Sequence, residues 1–265
     1  MSKNISKKIS TFIVICLLLI GVSTKFGFTY ANDYELMKNE YIYLNTITDI
    51  MYNLSTEIGK GPSKSTGKKA YITIDDGPSK YTDDIINTLN KHNAKATFFM
   101  IDRNMKLYPN QVKNIIENGN TPGFHSVSHD IHKLYKTNKS AKEEFDINRQ
   151  TLLEVAGIES SVVRLPYGSK PYTPHKCYEE LVEAGYKMWD WDIDTEDWKV
   201  SSEQALENVK LYSKGKDNIV VLMHEKKQTA KSLDRILKYL SEEGYEFVPI
   251  DESETPQNFW LKNFK

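Results

Sequence analysis

Short apolar runs of strand length alternate with longer amphipathic segments along most of this 265-residue chain. The clearest strands are predicted at residues 96–100 and 219–223, where apolar, β-branched and aromatic side chains follow one another. Helices are predicted at residues 83–91, 141–155, 203–212 and 231–242. Because strands that alternate with helices usually pair in parallel, the chain is predicted to form an α/β fold.

Two adjacent carboxylates end another apolar run. Residues 69–74 are predicted to form a buried strand, which Gly77 and Pro78 stop directly after Asp75 and Asp76. In repeating β/α folds, the residues that do chemistry collect at the carboxyl ends of the strands. Adjacent like charges raise each other's pKa unless a cation compensates, so the pair favours a metal ligand beside a proton acceptor. An isolated turn of this composition is more often a solvated loop, and the rest of the chain favours the site.

Two histidines further along the chain, His125 and His129, have the spacing of metal ligands. If the segment is helical, positions four apart share a face and both imidazoles reach one ion. Together with Asp76 they offer two nitrogens and one carboxylate, a set that leaves metal positions open for water and substrate. His132, three residues beyond, is predicted to be a surface side chain.

Five ordered motifs resemble the signature of the polysaccharide deacetylases, the NodB-homology domain of the fourth carbohydrate esterase family. They occupy residues 73–78, 125–129, 164–168, 194–198 and 222–224. Ile74 stands where most members of the family have Phe. The resemblance covers roughly residues 68–249 and implies an irregular (β/α) barrel of seven or eight strands. It also implies a hydrolase that removes acetyl groups from glycans.

The resemblance implies that Asp76, His125 and His129 hold one divalent transition metal, Zn²⁺ or a similar ion such as Co²⁺. Such an ion lowers the pKa of a bound water and polarises the amide carbonyl. Asp75, next to the ligands, is placed to accept the proton of the water as general base. Arg164 is expected to keep Asp75 ionised and oriented through a bidentate pair.

The remaining motif residues are assigned to the oxyanion, the leaving group and the substrate. The backbone N–H of Tyr167 is the candidate donor to the oxyanion. His224 is the candidate general acid, and Asp197 is expected to raise its pKa and fix its tautomer. Trp198 is expected to pack over that pair, and Leu222 is expected to contribute to substrate binding.

Outside the family pattern, several residues have simpler interpretations. Arg164 would form a surface ion pair, and His224 would be a buried core histidine. Aromatic and acidic side chains alternate around Trp189 and Trp191, which predicts a strand with one packed and one solvated face. Both tryptophans are therefore expected in the core, and Asp194 is expected to shape its loop.

The N-terminus has the pattern of an export signal. Three lysines precede an uninterrupted apolar run at residues 12–22, which is shorter than the roughly 20 residues that span a bilayer. The predicted parts are a signal peptide or membrane anchor at residues 1–31, an amphipathic helix at 32–58, a linker at 59–68 and the catalytic domain at 69–265. Cleavage is expected before Asn32.

Charge and cysteine content limit the partners. A net charge of −1 gives no electrostatic basis for binding nucleic acid or an anionic membrane. Membrane contact is therefore expected only through an uncleaved N-terminal segment. Only Cys177 remains after cleavage, so no internal disulfide forms, which fits an exported bacterial cell-envelope enzyme. The protein is expected to be a monomer.

The leading hypothesis is an exported, metal-dependent deacetylase of an N-acetylated cell-wall glycan, with peptidoglycan as the first candidate. Chitin oligomers, other N-acetylated polymers and O-acetylated xylan remain open as substrates. A glycan-binding module without catalysis is the alternative from another class. The complete set of motif residues favours the enzyme, because loss of activity in this family accompanies loss of the first Asp or a metal-binding His. A metallopeptidase is disfavoured because no His-Glu-x-x-His motif is present.

Overall fold

The computed structural model describes residues 67–264. The predicted signal peptide or anchor, the helix at residues 32–58 and nearly all of the linker lie outside the described residues. Within residues 67–264, no helix is both long enough and apolar enough to cross a bilayer.

A parallel sheet of short strands forms the centre of the fold. In chain order the strands are β1 (Lys68–Gly77), β2 (Ala96–Met100), β3 (Thr121–Phe124), β4 (Val162–Val163), β5 (Lys187–Met188), β6 (Ile193–Asp194), β7 (Asn218–His224) and β8 (Tyr245–Phe247). The helices are α1 (Thr82–Lys91), α2 (Asp102–Leu107), α3 (Pro109–Glu117), α4 (Ile131–Leu134), α5 (Ser140–Ala156), α6 (His175–Glu183), α7 (Ser202–Tyr212) and α8 (Lys227–Glu242).

The strands are ordered β5-β4-β3-β2-β1-β7-β6, and β8 pairs with the start of β1. Every pairing is parallel. The hydrogen-bonded path ends at β5 and β6, so the described sheet is an irregular, open barrel. The predicted α/β fold and irregular (β/α) barrel are confirmed.

The central strand β1 is buried on both of its faces. Ile72 and Ile74 lie in one cluster with Leu233 of α8, whereas Tyr71 lies in a second cluster with Trp189. Because successive side chains of a strand point to opposite faces, a strand with two covered faces needs a continuous apolar run. Burying a side chain such as Ile72 contributes roughly 1.5–3 kcal/mol.

Segments with strong periodicity occur where the sequence places them. The strand predicted at residues 96–100 is β2. The helices predicted at residues 83–91, 141–155 and 203–212 correspond to α1, α5 and α7, with ends that differ by at most one residue. The helix predicted at residues 231–242 is α8, which begins four residues earlier.

The single strand predicted from Trp189 to Asp194 is wrong. Only β5 and β6 are strands, and the residues between them are irregular. Asp190 is buried and accepts hydrogen bonds from backbone N–H groups of two other loops, which hold the segment away from regular pairing. Trp189 is in the core as predicted, whereas Trp191 is only half-buried and lines a cavity.

Candidate active site

The carboxyl ends of β1, β3 and β7 meet around a cavity of about 450 Å³. Its lining includes these predicted site residues: Asp75, Asp76, His125, His129, Tyr167, Trp198, Leu222 and His224. Arg164 and Asp197 are buried behind this lining, each bound to a side chain that forms it. The structure thus brings every predicted site residue to one place.

His125 and His129 lie in an irregular loop that follows β3, so the helical spacing considered for them is wrong. Ser126 and His129 have φ angles of 67° and 51°, in the left-handed region that residues other than glycine rarely occupy. The backbone N–H of His129 donates to the Ser126 hydroxyl over 2.9 Å and closes the turn. This turn, rather than a helix face, brings the imidazoles together.

The donor atoms of Asp76, His125 and His129 converge. The two Nε2 atoms are 3.2 Å apart, and they lie 3.7 and 3.5 Å from Oδ1 of Asp76. Ligands about 2.1 Å from one ion in a tetrahedral arrangement are about 3.4 Å from each other, so the spacing suits a shared cation.

Two further features indicate that this cluster is built for a cation. Oδ1 of Asp76 is buried and has no hydrogen-bond partner among the described residues. Nδ1 of His125 lies 2.8 Å from the backbone oxygen of Arg164, which can only accept a hydrogen bond. Nδ1 therefore carries the proton, and the lone pair of Nε2 is directed to the cluster. The three side chains fit one divalent metal.

The electrostatic environment favours the ligand forms of these groups. Burial opposes ionisation of Asp76, but the charges of His125 and His224 outweigh it and lower the pKa of the carboxyl. Burial lowers the pKa of His129, and the neighbouring His125 lowers it further. Asp76 is thus ionised and His129 neutral near pH 7, as metal ligands must be.

Asp75 is held by a fully buried arginine. Arg164 has no exposed surface, so its interpretation as a surface ion pair is wrong. Its NH1 donates to Oδ1 of Asp75 over 2.9 Å and to the Thr73 hydroxyl over 2.6 Å. The predicted bidentate pair is also wrong, because Nε and NH2 donate to the backbone oxygens of Trp189 and Asp190. The guanidinium is thereby fixed on several sides while it orients one carboxylate oxygen.

His224 ends β7 and is paired with Asp197. Its Nδ1 lies 2.7 Å from Oδ1 of Asp197, whose Oδ2 accepts the backbone N–H of His224 and the hydroxyl of Thr229. Burial lowers the pKa of the imidazole, but the hydrogen bond to Asp197 and the nearby carboxylates outweigh it, so the pKa is raised. Since Nδ1 is engaged, Nε2 is the nitrogen left for a ligand.

Tyr167, Leu222 and Trp198 form parts of the cavity wall. Tyr167 has a φ of 64°, and no residue between 67 and 264 accepts a hydrogen bond from its backbone N–H. Leu222 is buried beneath the cavity. Trp198 is 54% exposed and lines the cavity together with His224. Its packing over the His224–Asp197 pair stays a prediction.

Several lining residues are missing from the sequence-based assignment. Leu165, Tyr172, Trp191, Asp194 and Lys226 complete the wall. The only available signal was proximity to a motif: Leu165 lies inside one, and Lys226 follows His224 by two residues. Asp194 accepts the backbone N–H of Glu196 over 2.8 Å, which agrees with its predicted role in the loop. His132 is exposed, as predicted.

A parallel α/β barrel carries a candidate metal cluster, a buried carboxylate and a paired histidine at its strand ends, an arrangement suited to hydrolytic chemistry. Comparison with known proteins gives the family. The family model described as polysaccharide deacetylase matches residues 63–189. The chain belongs to the polysaccharide deacetylase family, and it is a hydrolase that acts on amide bonds.

Bacterial relatives agree with this assignment. A peptidoglycan-N-acetylglucosamine deacetylase of Bacillus cereus is 39% identical over 76% of this chain and 78% of its own length. The Listeria monocytogenes peptidoglycan-N-acetylglucosamine deacetylase PgdA is 34% identical over 75% of this chain, but the match spans only 41% of that protein. The crystal structure of a Bacillus cereus polysaccharide deacetylase superposes with a TM-score of 0.70 at 39% identity, covering 75% of this chain and 100% of that one.

Proposed function

We propose that this protein is a metal-dependent enzyme that removes acetyl groups from the N-acetylated sugars of peptidoglycan. One observation supports the chemistry: the metal-binding cluster, the buried Asp–Arg pair and the His–Asp pair surround a single cavity. The relatives named as peptidoglycan deacetylases support the choice of glycan.

Asp76, His125 and His129 would hold one divalent transition metal, Zn²⁺ or a similar ion such as Co²⁺. Imidazole nitrogens disfavour Mg²⁺ and Ca²⁺, which prefer oxygen ligands. When bound, the ion supplies Lewis-acid activation of water and of the amide carbonyl.

Asp75 acts as the general base in this proposal. It accepts a proton from the attacking water while the water oxygen forms a bond to the acetyl carbon. The contact from Arg164 fixes one oxygen of this carboxylate, and the other oxygen lies 3.7 Å from Nε2 of His125 in the candidate metal cluster. The free backbone N–H of Tyr167 donates to the oxyanion of the tetrahedral intermediate.

His224 acts as the general acid. It donates its proton to the sugar nitrogen while the C–N bond breaks, which releases acetate and a free amine. Asp197 keeps His224 protonated and fixes its orientation. Leu222 and Trp191 provide an apolar wall that suits the acetyl methyl group.

The site of action follows from the glycan. We infer that residues 1–31 direct export, so that the enzyme meets the cell wall outside the membrane. N-terminal sequencing of the protein recovered from the cell envelope tests this inference, because cleavage predicts a start at Asn32.

Acetate release from purified peptidoglycan, with and without a chelator, tests the proposed function. We expect release from peptidoglycan, its loss with the chelator, and its recovery when Zn²⁺ is added back. Chitin oligomers and O-acetylated xylan are the comparison substrates. Turnover of either one without turnover of peptidoglycan would overturn the choice of glycan, and unchanged activity in the chelator would overturn the metal dependence.

A further inference from the structure

The loop that carries His125 and His129 is fastened to helix α5 by one carboxylate. Oε2 of Glu144 accepts the backbone N–H groups of Val127 and Ser128, over 2.9 and 2.8 Å. Its Oε1 accepts the hydroxyl of Ser128 over 2.7 Å. Successive backbone N–H groups that point at one anion form a strong, directional binding site.

These hydrogen bonds to Glu144 matter because the loop lacks the regular hydrogen bonds of a helix or strand. Its backbone N–H groups need other partners, and unpaired ones are costly. One turn beyond Glu144 on the same helix, Nδ2 of Asn148 donates to the backbone oxygen of Ser126 over 3.3 Å. Side chains of helix α5 thus form hydrogen bonds with backbone groups of the loop on both sides of Val127. These bonds hold the turn with its left-handed residues in place.

We propose that Glu144 is a positioning residue for the metal-binding cluster. It touches neither substrate nor metal, and it acts through the backbone of residues 127 and 128 to fix the distance between the two imidazoles. The proposal rests on metal binding by the cluster, which belongs to the proposed function. Partners that orient metal ligands typically change metal affinity about 10–100-fold when they are altered.

Zn²⁺ titration of the metal-free protein by calorimetry tests this proposal without reference to catalysis. Glu144→Gln keeps the shape of the side chain but replaces the charged acceptor of two backbone N–H groups with a neutral amide, so we expect about 10–100-fold weaker Zn²⁺ binding. The matched control is Glu143→Gln, an exposed neighbour on α5, which should bind as the wild type does. Ser128→Ala removes only the hydroxyl contact and should weaken binding by less.

The outcomes separate this proposal from the proposed function. If the wild type does not bind Zn²⁺, the metal-dependent function itself fails. If the wild type binds and a folded Glu144→Gln binds equally well, the positioning role is overturned. If Glu144→Gln does not fold, Ser128→Ala decides: unchanged Zn²⁺ affinity in that variant overturns the proposal.

A second observation concerns charge within the cavity. Lys226 is half-buried in the cavity lining, and no acidic side chain among residues 67–264 forms an ion pair with it. Lys216, another half-buried lysine, lies 2.9 Å from Asp192. The carboxylates Asp75 and Asp197 have partners in Arg164 and His224, and the charge of Lys226 acts on Asp76 without an ion-pair contact. The ammonium group is therefore available to a ligand.

We propose that Lys226 binds a carboxylate on the sugar next to the one that is deacetylated. This proposal rests on peptidoglycan as the substrate, because its muramyl residues offer a carboxylate, on the stem where a peptide is attached and on the lactyl group where it is not. A neutral polymer such as chitin offers no such group. A partly desolvated ammonium gains from an anionic partner, because a hydrogen bond between charged groups is stronger than one between neutral groups.

Kinetics on matched glycan strands test this role. The strands are used with their carboxyl groups intact and after conversion of those groups to amides. For the wild type, conversion should raise KM about tenfold, whereas for Lys226→Gln it should have little effect. Lys227→Gln, an exposed neighbour, is the control and should behave as the wild type does. Strands with and without peptide stems distinguish a stem carboxylate from the lactyl carboxylate.

Each result decides the question. No turnover of any strand by the wild type defeats the proposed function. Lys226→Gln could instead lower kcat, or raise KM, by the same factor on intact and on converted strands. That result would show that Lys226 acts at the reacting centre, and the specificity role would be wrong.

Discussion

Two histidines in one cavity, His129 and His224, have pKa values that are shifted in opposite directions. Burial lowers the pKa of both side chains. At His129 the adjacent imidazole of His125 adds to that effect, whereas at His224 the hydrogen bond donated to Asp197 and the nearby carboxylates reverse it. The same side chain is therefore suited to bind a metal in one place and to donate a proton in the other, and its partner decides which.

The two histidines also differ in the kind of backbone that carries them. His224 ends the regular strand β7, which pairs with the centre of the sheet. His129 lies in a loop with left-handed residues, which side chains of α5 hold in place. His224, the proposed proton donor, is thus fixed by the sheet, whereas the loop of the proposed metal ligands depends on local side-chain contacts. Substitutions near His129 and substitutions near His224 should therefore change different properties of the enzyme.

The largest effect is expected in the ligand region. A His125→Ala, His129→Ala double variant removes two of the three donors, so we expect loss of bound transition metal and acetate release at background level. Metal analysis of the purified variant measures this. His132→Ala is the control, since His132 is exposed and nearby. Wild-type metal content in the double variant would contradict the ligand assignment.

Asp75 belongs to neither histidine region, and its loss should leave both intact. Asp75→Asn keeps the size of the side chain but cannot accept the proton of the water, so turnover should fall about 10²–10⁴-fold with unchanged metal content. Asp84→Asn, in the first turn of α1, is the control. Near wild-type turnover of Asp75→Asn with its metal in place would reduce Asp75 to a structural residue.

A smaller effect is expected at the other histidine. His224 must be protonated to act as an acid, and its raised pKa keeps it protonated to higher pH. Asp197→Asn removes the main contact that raises this pKa, so the pKa should fall and the alkaline limit of activity should move to lower pH. The acid limit should change little, because the contacts of Asp197 are with His224 and Thr229 and not with Asp75 or the candidate metal ligands. An unmoved alkaline limit in the pH–rate profile would refute the tuning of His224 by Asp197.

Features that depend on neighbouring residues along the chain were predictable. Apolar periodicity located β2, α1, α5 and α7, because a helix or strand repeats its burial pattern every few residues. The motifs identified the side chains that meet in the cavity, because the carboxyl ends of parallel strands share one edge of the sheet. Export, the helix at residues 32–58 and a monomeric state stay predictions.

The errors have a common physical cause, since each depends on contacts between distant segments. The ligand loop is irregular because Glu144 and Asn148 of α5 form hydrogen bonds with its backbone groups. Arg164 meets Asp75 through one nitrogen because carbonyls near β5 take the others. Trp191 leaves the core because the segment around Asp190 is tied to other loops.

The sequence by itself determined the α/β class, the family and the set of reactive side chains, since these follow from local periodicity and from motif residues at strand ends. Only the tertiary structure decided which histidine pKa is raised and which is lowered, what holds the ligand loop, and that Lys226 lines the cavity without an ion pair to any carboxylate among residues 67–264. Those properties depend on burial and on the charges that the curled sheet brings within a few ångströms of each other. Such distances cannot be inferred from the spacing of residues along the chain.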